Sequence, residues 1–229
     1  MNDDVARFDA RAAAWDANPF RRKLTRDIAT AMDAAGLFRD GVAEALDFGC
    51  GTGLLTLELA DRCDRVTGLD TSPGMLAELD AKIEAAGLEN VTTLLVDLEA
   101  GEPLPGRYDL AASAMALHHV AGPEAVLKRL FAALSPGGRL ALADLDSEGG
   151  LFHDDNAGVH HFGFDRFDLA DMLAGLGFTG IDARTAATLE KPGKDGTVRA
   201  FTVFLMTARR PESGRITLPT PTPPGKNVL

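Results

Sequence analysis

Three glycines at alternate positions, Gly49, Gly51 and Gly53 in LDFGCGTGLLTLEL, precede two acids that each close a short apolar run: Asp70 in RVTGLD and Asp97 in LLVDLE. Glycines in such a turn let the backbone bend tightly and approach a ligand with no Cβ in the way. Asp70 stands 17 residues beyond Gly53, where a carboxylate at a strand end can accept both hydroxyl protons of a ribose. Asp97 can accept a hydrogen bond from an adenine amino group, with the Leu98 N–H offered to the neighbouring ring nitrogen. The pattern is that of a nucleoside-bearing cofactor. No Gly-Lys-Ser or Gly-Lys-Thr follows the glycines, which excludes a phosphate-binding P-loop, and the third glycine of a dinucleotide fingerprint would fall at Leu54. All five histidines lie later, at His118, His119, His153, His160 and His161. Imidazoles are the groups best suited to proton handling near neutrality.

These residues need strand ends to hold them, and the hydrophobic pattern supplies them. Short apolar runs at 44–49, 65–70, 90–97, 108–115 and 139–146 read as strands, alternating with amphipathic helices at 53–62, 72–87 and 123–138. Strands spaced by helices imply right-handed βαβ units and a parallel sheet covered on both faces. A helix at 167–178 is followed by strand candidates at 180–189 and 198–209, with Pro192-Gly193 and Asp195-Gly196 between them, so an antiparallel hairpin is expected. The expected fold is α/β: a Rossmann-like, doubly wound sheet of seven strands, mostly parallel, with a C-terminal antiparallel hairpin. A helical extension over residues 1–40 precedes the main domain at 41–210. Residues 211–229 hold five of the twelve prolines and read as a disordered tail.

The 229 residues carry 23 Lys and Arg against 34 Asp and Glu, a net charge of -11. Phosphate backbones and anionic lipid would repel such a chain, so nucleic acid and membrane are not expected partners. The acidic, polar N-terminus is no secretory signal, and two cysteines are too few for a disulfide framework, which points to the cytoplasm.

The glycine loop and its acids, with DTSPGML, YDLAASAMALHHV and LSPGGRLALADLD in register, resemble the class I S-adenosylmethionine-dependent methyltransferases, especially the small-molecule branch of ubiquinone and menaquinone biosynthesis. The resemblance covers residues 40–146 closely and the hairpin more loosely. It implies S-adenosyl-L-methionine as cofactor, S-adenosyl-L-homocysteine as product, and a small-molecule acceptor methylated by direct displacement. It places Asp47, Gly49, Cys50, Gly51 and Gly53 around the methionine part, Asp70 and Thr71 at the ribose, and Met75 against the adenine face. Asp97 and Leu98 read the adenine edge, Ser113 lies beside the methyl group, and an N-terminal helix bearing Trp15 forms a lid. Enzymes that methylate nucleobase amines show an Asn- or Asp-Pro-Pro-aromatic signature where this chain has SAMALHH, so base methylation is not expected.

On the acceptor side, His118 and His119 are the catalytic candidates, and packing at a helix start is the plain alternative. Residues 144–168 carry seven acids, one Arg, three histidines and four phenylalanines. They read either as a solvated loop or as an acceptor pocket with Trp15, His153, His160, His161 and Phe162 among its contacts and Phe152 and Phe164 in its walls. A metal site is a third alternative, since His and Asp are ligands, but no His-x-x-x-His spacing appears and no metal is assigned. The competing functional classes are an NAD-type oxidoreductase and a non-catalytic binding or partner protein of the same fold.

Overall fold

A computed structural model describes residues 3–192 and 196–212. Seven strands, β1 (Glu44–Phe48), β2 (Arg65–Asp70), β3 (Val91–Leu95), β4 (Tyr108–Ala114), β5 (Leu134–Leu145), β6 (Thr179–Pro192) and β7 (Val198–Arg209), form one sheet in the order β3-β2-β1-β4-β5-β7-β6. The first five run parallel, and β7 pairs antiparallel with both β5 and β6. This is the doubly wound, Rossmann-like sheet with a terminal hairpin that the apolar pattern predicts. Because both faces are covered, the central strands are apolar on both sides. Leu46, Leu69, Leu140 and Leu142 pack toward Leu127, Leu130 and Phe204 on one face. Ala45, Leu110, Ala112 and Ala143 pack toward Ile28, Met32 and Leu59 on the other.

Helix ends follow local side-chain chemistry. In α2 (Pro19–Ala34), Pro19 opens the helix and the Asn18 side chain accepts from Phe20 N at 2.9 Å. In α4 (Pro73–Ala86), Ser72 Oγ accepts from Met75 N at 3.1 Å, and Gly87 closes the helix at φ 63°. The glycine turn leads into α3 (Leu54–Ala60). The helix expected over 123–138 stops at Ala133, as α5 (Pro123–Ala133), and β5 begins at once. Leu134 pairs with Tyr108 and Arg139 with Leu110, so residues 135–138 bulge out of register. Gly138 permits this, since a Cβ there would lie 2.8 Å from Ser135 O and 3.1 Å from Tyr108 O. Strand β3 ends at Leu95, leaving Asp97 in the following turn rather than at the strand end. Asp165 caps α6 (Arg166–Gly175) by accepting from Phe167 N and Asp168 N. Residues 193–195 of the expected hairpin turn and the proline-rich stretch 213–229 lie outside the described residues, and β6 extends through 190–192 of that turn.

The N-terminal segment, α1 (Asp3–Arg11) and a 3₁₀ turn at Ala12–Ala17, docks on the C-terminal edge of the sheet by means of two carboxylates. Asp9 Oδ1 accepts from Ser72 Oγ at 2.5 Å and Gly74 N at 2.8 Å, at the positive end of α4. Gly74 makes room, because a Cβ there would stand 2.9 Å from that oxygen. Asp16 accepts from Thr52 Oγ1 at 2.6 Å and pairs with Lys82, whose ammonium also donates to Thr52 O at 2.6 Å. Loss of the Asp9 bonds should free α1 without unfolding the sheet. For Asp9→Ala we expect α1 amides to exchange roughly 30-fold faster, about 2 kcal/mol of local stability. Exchange in β1 and β4 should hold steady; unchanged protection of α1 would show that Asp9 does not anchor it.

Candidate functional site

The turn after β1 is shaped by three left-handed residues, Gly49 at φ 67°, Gly51 at 54° and Gly53 at 85°. Gly49 N and Cys50 N donate to Leu69 O at 2.8 and 3.0 Å, which ties the turn to β2. The three glycines face different surroundings. A Cβ on Gly49 would stand 2.4 Å from Ala116 Cβ, and one on Gly53 would stand 2.2 Å from Leu79 Cδ1. On Gly51 it would meet only Met75 Sδ, at 3.9 Å. Gly49 and Gly53 are therefore required by packing, whereas Gly51 borders open space beside Met75.

Asp70 is bonded directly to this turn. Its carboxylate accepts from Gly51 N at 2.8 Å and Ser72 N at 2.9 Å, while burial raises its pKa against the lowering effect of those bonds. The Thr71 N–H also lowers it, and a carboxylate with about four acceptor sites still has capacity for a further donor. Thr71 beside it is exposed, and the Met75 side chain is buried. Asp97 Oδ1 accepts from Ala100 N at 2.9 Å, so Asp97 shapes its own turn, and Leu98 is buried in the core. Ser113 Oγ is buried without a hydrogen-bond partner. Cys50 is buried, which raises its thiol pKa and leaves it inert as a nucleophile. Asp47 is 1% exposed beneath the loop and accepts from Thr56 Oγ1 at 2.7 Å. Burial, with the nearby Asp70 charge, pushes its pKa up to about 7.

Beyond β4 the chain takes up strain. Met115, at φ 57°, is the sole non-glycine with positive φ among the described residues, a conformation that costs on the order of 1–3 kcal/mol. It leads into a short 3₁₀ turn at Leu117–His119. His118 is buried and its Nδ1 lies 2.7 Å from Asp144 Oδ1, while His119 Nδ1 lies 2.6 Å from Gly158 O. His153 joins them from the segment after β5, 5.1 Å from His118 ring to ring. Burial, reinforced by His118, holds both His119 and His153 at about 4, as neutral imidazoles. His160 and His161 do not join this group. His160 is exposed and lies 3.3 Å from Asp4, and His161 stacks on Phe164 at 5.1 Å. Phe162 is 45% exposed, and Phe152 packs edge-on against His153 and Phe201. Trp15 lies under the Arg21 guanidinium, 3.7 Å from its ring centre, and packs on Phe8.

Four residues of this edge escape the sequence reading: Asp9, Asp16, Lys82 and Asp144. The first three act over long sequence separations and carry no local signal. Asp144 carries one, because a charged residue inside the buried run LALADL needs a partner.

Residues 45–138 match a family described as a methyltransferase domain. A trans-aconitate 2-methyltransferase of Paracidovorax citrulli is 41% identical over 103 residues, covering 44% of this chain and 38% of that protein. A ubiquinone biosynthesis O-methyltransferase of Pseudomonas aeruginosa is 28% identical over 145 residues, 62% of each chain. The chain thus spans less than two thirds of the length of these relatives. A solved structure described as a DhpI–SAH complex shares the fold, with a TM-score of 0.68, 24% identity, and coverage of 92% of this chain and 96% of that one.

The raised pKa of Asp47 links stability to pH. The folded chain keeps this proton up to about pH 7, whereas the unfolded chain loses it near 4. Stability from this group is therefore full below about pH 4 and is lost as pH rises to 7. Asn at position 47 can still accept from Thr56 and has no charge to bury. Without added ligand, Asp47→Asn should match the parent at about pH 4 and below, pull ahead as pH rises, and exceed it by on the order of 2–4 kcal/mol above about pH 7. Melting curves across that range check this; a difference independent of pH would mean that Asp47 does not titrate there.

Proposed function

We propose that the methyltransferase domain carried by residues 45–138 draws a methyl group from S-adenosylmethionine and places it on a small-molecule acceptor by direct displacement. The observation that carries this reading is the opening beside Gly51. It is a left-handed glycine where a Cβ would meet only Met75, at 3.9 Å, and whose N–H donates to Asp70. Met75 offers an apolar, polarizable surface for a flat ring, and the spare lone pairs of Asp70 suit a ribose diol. Asp97 and the Leu98 N–H suit the adenine edge, and Asp47, Gly49, Cys50 and Gly53 shape the end where the methionine part would lie. Thr71 and Ser113 complete the set, Ser113 with a buried hydroxyl still unpartnered.

When bound, this cofactor supplies an already activated methyl group. The chain's own work is to align the acceptor, exclude water and receive the acceptor's proton if it has one. The segment Asp3–Ala17 serves as the covering layer, held by Asp9 and Asp16, with Phe8 and Trp15 packed together in it. His118, His119 and His153 face the acceptor side. Their ring nitrogens can take a proton or bind a cation that acidifies the acceptor. The names of both relatives fit a small acceptor, and the net charge of -11 disfavours a polynucleotide. Two free buried cysteines fit a reducing cytoplasm, and no helix among the described residues is long and apolar enough to cross a membrane.

Calorimetry with S-adenosylhomocysteine tests the cofactor reading directly. Asp70→Ala should weaken binding at least tenfold to a hundredfold, since a charge-assisted hydrogen bond contributes roughly 1.5–3 kcal/mol. Full affinity in a folded Asp70→Ala protein would remove Asp70 from the site. The glycines should also separate. Gly51→Val is expected to lose the ligand while keeping most of the fold, whereas Gly53→Val, driven into Leu79, should lower the melting temperature sharply. Equal melting temperatures for the two variants would contradict this division of roles.

A further inference from the structure

Three histidines from two separate stretches of chain meet at the end of β4. The ligating nitrogens of His118, His119 and His153 all lie within 4.8 Å of one another. Two of the rings are fixed from behind. His119 Nδ1 faces the carbonyl of Gly158 at 2.6 Å. A carbonyl can only accept, so the proton sits on Nδ1 and Nε2 keeps a bare lone pair. His118 Nδ1 faces Asp144 Oδ1 at 2.7 Å, with both side chains 1% exposed. Asp144 is itself held by Leu145 N at 2.7 Å. A carboxylate so placed keeps the His118 proton on Nδ1 as well. His118 Nε2 and His153 Nε2 are then buried with no hydrogen-bond partner.

A general base would need one such imidazole. Three imidazoles whose nitrogens converge on one small volume, two of them with lone pairs fixed toward it, are satisfied together by a cation. We propose that His118, His119 and His153 form a binding site for a divalent transition-metal ion of the zinc class. Imidazole nitrogens suit such ions. A carboxylate and a backbone carbonyl behind the ligating rings are the outer partners that orient them and raise their basicity. Phe8 stands edge-on to His119 at 5.0 Å and Phe152 to His153 at 4.9 Å, giving the site apolar walls. Metal–nitrogen bonds of about 2.0–2.1 Å place tetrahedral ligands roughly 3.4 Å apart, so the rings need close only slightly. His153, on a segment without helix or strand, can make that movement.

Three protein ligands leave a fourth position open, the pattern of a catalytic rather than a structural site. Resting on the methyltransferase reading, that position takes the oxygen or sulfur of the acceptor. The ion then favours its deprotonated, nucleophilic form, and the proton passes to solvent.

The test uses the full chain, freed of metal with a chelator and titrated with zinc alone, with cobalt(II) as a spectroscopic substitute. One zinc per chain, a zinc-dependent rise in melting temperature and the visible absorption of tetrahedral cobalt are expected. His153→Ala should abolish this uptake, whereas His160→Ala and His161→Ala should retain it. Asp144→Asn should lower zinc affinity about 10- to 100-fold as a positioning change. No stoichiometric zinc in the parent, or undiminished uptake in folded His153→Ala, would overturn the proposal. S-adenosylhomocysteine binding in the same samples separates the two readings: His153→Ala should keep it, and Asp70→Ala should lose it while still taking up zinc.

Discussion

The strand order turns back between β1 and β4, and at that gap the backbone after β1 meets the backbone after β4 at Gly49 and Ala116. A single Cβ on Gly49 would come within 2.4 Å of the Ala116 methyl, so the two loops can approach this closely only because one side has no side chain. Sheets of this kind bind ligands where successive connections leave in opposite directions. The glycine loop lies on one side of the divide and the histidines on the other. The sheet, by fixing where β1 and β4 end, fixes the distance between the two halves of the site.

The acids of this edge are distributed by depth. Asp47 lies under the loop and leans toward its protonated form, Asp70 is held by two backbone amides, and Asp144 is committed to His118. Asp9 and Asp16 come from the N-terminal segment and meet a helix terminus and a lysine. In a chain of net charge -11, such crowding of carboxylates is tolerable because each has its own donor. Desolvation governs the outcome for Asp47, whose hydroxyl partner is neutral. Donated backbone hydrogen bonds offset part of it for Asp70.

How much of this is legible in the sequence depends on how local the cause is. Strand β2 matches its apolar run residue for residue, and the Ser72-Pro73 and Gly87 signals bound α4, because capping is a matter of a few neighbouring side chains. The start of β5 is not legible, since LSPGG reads as a helix end followed by a turn. Only the pairing of Leu134 with Tyr108, a partner outside the segment, makes it strand. The glycine loop is visible as a motif, but the division between packing glycines and an open one depends on Leu79, Met75 and Ala116. The histidines are visible as residues, whereas the meeting of His153 with His118 and His119, and the departure of His160 and His161, is decided by how the 147–163 segment folds back. There Glu148 N donates to Phe162 O, and His160 N and His161 N donate to His118 O.

Helix α1 touches both halves at once. Asp9 holds it to α4 on the glycine-loop side, while Phe8 stands against His119 and Arg7 reaches Asp155 on the histidine side. A movement of α1 large enough to admit water or solute to either half must break contacts with the other. Loosening α1 at one end therefore weakens its hold at the other, and the two halves of this edge are coupled mechanically through a single short helix.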